Sequence, residues 1–130
     1  MKRRTCLKTL LAAGAGSAAA GAAATGKPIQ LFVDLSVNPA REKEMLNNFA
    51  TIFKPAASKF KGFIDVRMLK LRSALTGKAP AGINYRFELM YQSEELRQIW
   101  VKSPTHQEVW PTIEKTLTSK DYTVLLFDEV

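Results

Sequence analysis

The chain has 130 residues, 46% of them apolar and 24% charged, with a formal net charge of +7. Four of its nineteen cations fall in the first 26 positions, which carry no acid, so fifteen cations face twelve acidic residues in the remainder, a net of +3. No basic run interleaved with aromatics survives there, which argues against a nucleic-acid partner. The only cysteine is Cys6, so the later part can hold neither a disulfide framework nor a thiolate metal site.

The opening MKRRTCLKTLLAAGAGSAAAGAAATG combines a cationic start, an Ala/Gly-rich apolar tract and small residues ahead of Thr25, the parts of an export signal. Arg3-Arg4, with Leu7 and Lys8 in register, resembles a twin-arginine signal, although Cys6 stands where Phe is usual and Lys2 where Ser or Thr is usual. Residues 1–26 are therefore expected to be a signal and 27–130 one small domain, delivered folded to the periplasm or beyond. The tract is too rich in Gly and Ala for a good hydrocarbon span, so no stable membrane insertion is expected after signal removal.

IQLFVDLS, residues 29–36, alternates with Ile29, Leu31, Val33 and Leu35 on one face, which predicts a strand. Asn38-Pro39 then offers an N-cap and a first-turn proline, and Met45, Phe49, Ile52, Phe53 and Ala56 recur at helical spacing as one apolar stripe. Pro55 is expected to bend or end that helix. GFIDVRMLKLR and INYRFELMY read as a second and third strand, joined by SALTGKAPAG, a connection too long for a tight hairpin. Ser93 should cap a short helix, EELRQIWVK, and Ser103-Pro104 should start another, which Pro111 is expected to kink or split. DYTVLLFDEV closes the chain as a fourth strand.

The order βαββαβ is the ferredoxin-like arrangement, α+β, with one antiparallel four-stranded sheet and its helices on a single face. Pairing the second and third strands with residue numbers summing to about 155 sets Ile64, Val66 and Met68 with Tyr91, Leu89 and Phe87 toward the helices. The opposite face then gathers Phe32, Leu69, Leu71, Met90 and Leu125 or Leu126, with Arg67 opposite Glu88. Such an apolar face predicts a homodimer that buries it against a second copy. Cover by the last strand and the long connection is the monomeric alternative.

Three stretches carry a family likeness: VNPAREKEM after the first strand, KGFIDVRML into the second, and YQSEELRQIWVKSPTHQEV. Together they resemble the antibiotic biosynthesis monooxygenase family of the dimeric α/β-barrel superfamily. Tyr91 stands where a tryptophan is usual, and Ala40 where the turn glycine is usual. The resemblance implies a dimer with a pocket in each subunit between helices and sheet. It further implies oxidation of a small aromatic or quinol by molecular oxygen, with no metal or flavin cofactor. The haem-degrading branch combines an Asn on the first strand with a Trp and a His; the first strand here has no Asn, so haem degradation is not expected.

The stretch 91–110 concentrates the candidates. His106, at the third position of its helix, sits where the helix dipole disfavours an imidazolium, so a neutral imidazole could orient a phenolic hydroxyl or accept its proton. Capping the helix or bonding a backbone carbonyl is its alternative role. Tyr91 could bond His106, a ligand, or a main-chain carbonyl. Trp100, Trp110, Phe87 and Phe49 are the candidate walls for a small aromatic or quinone-like ligand, or ordinary core. Asp34, Asp65 and Glu88 fall on the far face beside Arg67 and Arg86, where structural pairing accounts for them. The readings left open are an oxygenase, a non-catalytic periplasmic binding module for a hydrophobic ligand or a protein partner, and a structural homo-oligomer.

Overall fold

A computed structural model of the chain describes residues 27–130, and the export signal expected over 1–26 lies outside them. Strand β1, Ile29–Leu35, runs at the centre of a four-stranded antiparallel sheet ordered β2-β3-β1-β4, with β2 at Phe63–Lys70, β3 at Tyr85–Tyr91 and β4 at Thr123–Asp128. This is the ferredoxin-like arrangement the element order predicts.

The first helical segment begins where Asn38 accepts a hydrogen bond from the Ala40 amide at 2.9 Å, with Pro39 in the opening 3-10 turn. It continues through α1, Glu42–Asn48, a π-helical stretch, Phe49–Phe53, and α2, Lys54–Ala57. Pro55 therefore does not end it. The π turn lies just before that proline and closes with the Lys54 amide donating to the Phe49 carbonyl, five residues back. This extra residue per turn changes the buried stripe. Met45, Phe49, Phe53 and Ala57 are buried at a constant spacing of four, while Ile52, expected inside, is exposed.

Helix α3, Glu94–Val101, is capped by Ser93, whose hydroxyl accepts from the Leu96 amide at 3.3 Å. Helix α4, Pro104–Glu114, is capped by Ser103, which accepts from the His106 amide at 3.1 Å. Pro111 does not split α4. Asn48 on α1 donates to the Thr112 carbonyl at 2.9 Å, tying the two helices together beside that proline.

β2 and β3 pair with residue numbers summing to 155 from Asp65↔Met90 to Lys70↔Tyr85. A bulge between Phe63 and Asp65 breaks that rule at the strand start, so Phe63, not Ile64, opposes Tyr91. Ile64 is consequently exposed, and the Phe63 ring meets Tyr91 edge-on at 6.2 Å. The helix face of the sheet carries Ile29, Leu31, Val33 and Leu35 against Tyr85, Phe87, Leu89 and Tyr91, all buried.

On the outer face, Phe32 lies beside Leu125 and Phe127, its ring edge-on to Phe127 at 5.3 Å. Asp34 receives two hydrogen bonds from Arg86 at 2.7 and 3.2 Å, and Arg67 lies between Asp65 and Glu88 at 3.5 and 3.8 Å. Pairing thus accounts for these acids. The register assigns Leu125 to the outer face and Leu126 to the helix side, opposite Leu31. Residues 71–84 form no helix or strand. Among the described residues no helix is long and apolar enough to cross a membrane.

Candidate functional site

Between the helices and the sheet lies a cavity of about 180 Å³, with predominantly apolar walls. Leu31 and Val33 of β1, Phe87 and Leu89 of β3, and Val124 of β4 form its floor. Phe53 of the π turn, Arg97, Trp100 and Val101 of α3, and His106 and Trp110 of α4 form the rest, with Tyr122 from the segment before β4. Positions 97, 100 and 101 are spaced i, i+3, i+4, so one face of α3 delivers all three. Positions 106 and 110 are likewise one turn apart on α4.

His106 is the pivot of this wall. Its ring is edge-on to Trp100 at 5.0 Å and parallel to Trp110, 8° between planes and 6.4 Å between centroids. Burial first, and the charge of Arg97 second, hold the imidazole below its ordinary value of 6.5. It is therefore neutral near pH 7. Its main-chain amide uses the Ser103 cap, but the ring does not: Nδ1 is buried without a hydrogen-bond partner among the described residues. The alternative in which the ring caps the helix does not hold.

Tyr91 is fully buried but does not line the cavity. Among the described residues its hydroxyl has no hydrogen-bond partner, neither His106 nor a main-chain carbonyl, and burial pushes it up to about 12, with Arg97 pulling the other way. Phe49 also stands outside the walls, packed behind them against Phe53 at 6.1 Å and Phe87 at 6.2 Å. Trp100, Trp110 and Phe87 do line the cavity. Of the six residues singled out from sequence, the fold thus brings four to one surface.

Arg97, Phe53 and Tyr122 were not singled out. Arg97 is only 15% exposed along its side chain and is held by Glu94 through two bonds of 2.7 Å. Tyr122 accepts from Trp110 Nε1 at 3.0 Å and donates to Glu114 at 2.8 Å, which fixes the indole in place. Burial raises the Tyr122 hydroxyl above its ordinary value, with the two hydrogen bonds acting in opposite directions. Chemically the site offers flat apolar space, one neutral proton acceptor and one guanidinium. A second recess of about 320 Å³ opens on the outer face near Asp34, Arg72 and Arg86, remote from these aromatics.

No protein-family model and no curated protein sequence matches the chain. Solved structures do. A candidate antibiotic biosynthesis monooxygenase of Caulobacter crescentus superposes with a TM-score of 0.63 at 15% identity, over 81% of this chain and 92% of that one. A dimeric ferredoxin-like protein of unknown function from Jannaschia gives 0.62 at 16%, over 79% and 98%. The hydroxynitrile lyase of Passiflora edulis gives 0.63 at 9%, over 81% and 95%. The chain has the antibiotic biosynthesis monooxygenase-like, ferredoxin-like fold. At these identities the likeness is one of backbone arrangement, and the names span different chemistries, so function must be argued from the cavity.

Proposed function

We propose that the protein is an exported, homodimeric, cofactor-independent monooxygenase acting on a small aromatic or quinol substrate bound in the cavity. The observation that carries this reading is His106: a neutral imidazole set between two indoles on the wall of an otherwise apolar cavity. A flat ring fits between such walls, and the imidazole accepts the proton of its hydroxyl. The O–H bond breaks, the proton moves to the imidazole, and the electron pair stays on the ring, making it electron-rich enough to reduce oxygen. In an anthrone-like substrate one oxygen atom then becomes the new carbonyl and the other leaves as water, which takes one hydrogen from the reacting ring carbon and the proton that the imidazolium returns.

The dimer rests on the apolar outer face and on the dimeric state named for the Jannaschia protein. Export rests on the sequence of residues 1–26. Oxygen uptake with an anthrone or hydroquinone tests the chemistry: His106→Ala is expected to lose about hundredfold or more of the rate, the scale of a general base. Equal, slow uptake by wild type and variant would sink it.

A second reading, a periplasmic binding module, is favoured by one observation. Tyr91 stands outside the cavity, which leaves His106 as the only acid–base group free of a pairing partner on its wall. That reading expects a rise in melting temperature with quinone-like compounds and no oxygen uptake.

A further inference from the structure

We infer that Arg97 sets the ligand class of the cavity: it holds a planar aromatic hydroxyl compound as its oxyanion, and so selects rings that carry an ionisable hydroxyl. The inference rests on the cavity being the ligand site, and adds a specificity-determining residue to it.

A guanidinium does not line an apolar cavity without cause, because taking a cation out of water is costly unless it is paired. Arg97 is paired, with Glu94 one turn earlier on α3, but only in part. Nε and Nη2 each give one bond to the carboxylate at 2.7 Å. Of the five N–H donors of an arginine, that leaves three uncommitted among the described residues, including both on Nη1. The pair thus keeps the cation affordable in a dry place while leaving donors for a guest.

The charged and titratable groups around Arg97 decide what that guest is. Glu94 is its partner on the same helix; Tyr91 from β3 and His106 from α4 both feel its positive charge. Tyr122, the remaining hydroxyl at the cavity, is committed to Trp110 and Glu114. The wall therefore presents one cation and one neutral proton acceptor. A carboxylate arrives already ionised and has no use for the acceptor, and an unionisable ring has no use for the cation. A ring hydroxyl uses both: it gives its proton to the imidazole and leaves its oxygen facing the guanidinium. An opposite charge within a few ångströms lowers such an ionisation by about 1–3 pH units.

β-Naphthol tests this, since its anion absorbs at longer wavelength than its neutral form and binding quenches tryptophan fluorescence. Bound to the full-length protein it is expected to ionise at least about tenfold more readily than in water. Arg97→Gln should abolish that shift and Arg97→Lys should keep most of it. Glu94→Gln leaves the guanidinium in place and uncompensated, so it should lower the midpoint further. This second variant decides the matter if Arg97→Gln does not fold.

Binding with the same midpoint in wild type, Arg97→Gln and Glu94→Gln would overturn the role of Arg97 while leaving the cavity as the ligand site. A midpoint in wild type equal to that in water would overturn it as well. Absence of any quenching in wild type would overturn both together.

Discussion

Along β1 the residues that face the helices are 0–8% exposed, while on β4, its hydrogen-bonded neighbour, Val124 through Phe127 are 42–51% exposed on both faces. Both strands are rich in apolar residues, β1 interrupted at Gln30 and Asp34 and β4 unbroken from Val124 to Phe127, and their cover differs. Over β1 and β3 the π turn, α3 and α4 close a layer of interlocking rings, with Phe53 edge-on to Phe87, Trp100 and Trp110 at 5.2, 5.7 and 6.0 Å. Over β4 they do not reach, and among the described residues the outer face stays open at Leu125 and Phe127, the 71–84 connection reaching it only near Asp34 and Arg86. Where cover is complete the apolar residues make a core; where it ends they make the rim of a cavity and a surface suited to a second copy.

The contrast is broken most severely at Phe53. Truncating a fully buried ring that joins helices to sheet costs about 3–5 kcal/mol, so urea unfolding of Phe53→Ala should show most of a small domain's stability gone. A loss near 1 kcal/mol would mean the aromatic layer is loosely packed, and the distinction between core and rim would lapse.

The outer face gives the complementary experiment. Leu125→Glu introduces a charge on a half-exposed position, so the folding of the subunit should change by no more than about 0.5 kcal/mol. Association should weaken about hundredfold, as when an apolar interface anchor is removed and a charge buried in its place. Native mass spectrometry across a dilution series reads both the wild-type dimer and its loss. A monomeric wild type would remove the reason offered here for an uncovered face.

How much of this was legible in the sequence follows from how local each signal is. The caps at Asn38, Ser93 and Ser103 involve neighbours two or three residues away, and their chemistry alone marks the helix starts. Alternation fixed the faces of β1 and β3, and parity fixed the β2–β3 register up to Ile64, where a bulge adds a residue that no pattern announces. The π turn is similarly hidden: a spacing of four from Met45 to Ala57 is its trace, but it reads as an ordinary helical stripe until the full burial of Ala57, beside a half-buried Ala56 and an exposed Ile52, shows the drift.

The site divides in the same way. His106 and Trp110 share a helical turn, and Arg97 shares one with Trp100 and Val101, so Arg97 could have been found by asking which charge lies on the tryptophan's side of α3. Tyr122 could not, because it sits in an irregular segment and reaches the cavity only through tertiary packing. Tyr91 was on the expected face of β3, yet depth beneath the walls is invisible to alternation.

The smallest expected effect concerns proton uptake at the boundary between the covered and uncovered regions. His106 ionises below 6.5 in the folded protein, through burial and then the charge of Arg97, whereas the unfolded imidazole titrates near its ordinary value. Between those two values the unfolded chain binds more protons, so stability rises with pH. The contribution is fully present above about pH 6.5 and is lost as pH falls toward the folded-state value. Melting temperatures of wild type should therefore fall from about pH 7 to 5 more steeply than those of His106→Gln. Below that window the two should fall in parallel, because Glu42, Glu44 and Glu94, all held low chiefly by side-chain hydrogen bonds to Lys70, Arg41 and Arg97 respectively, lose their partners' stabilisation as pH falls below 4.5 toward their folded-state values in both proteins. If the two curves run parallel over the whole range, the imidazole is as well hydrated as a surface histidine, and the cavity wall belongs with the open rim of the sheet and not with its sealed centre.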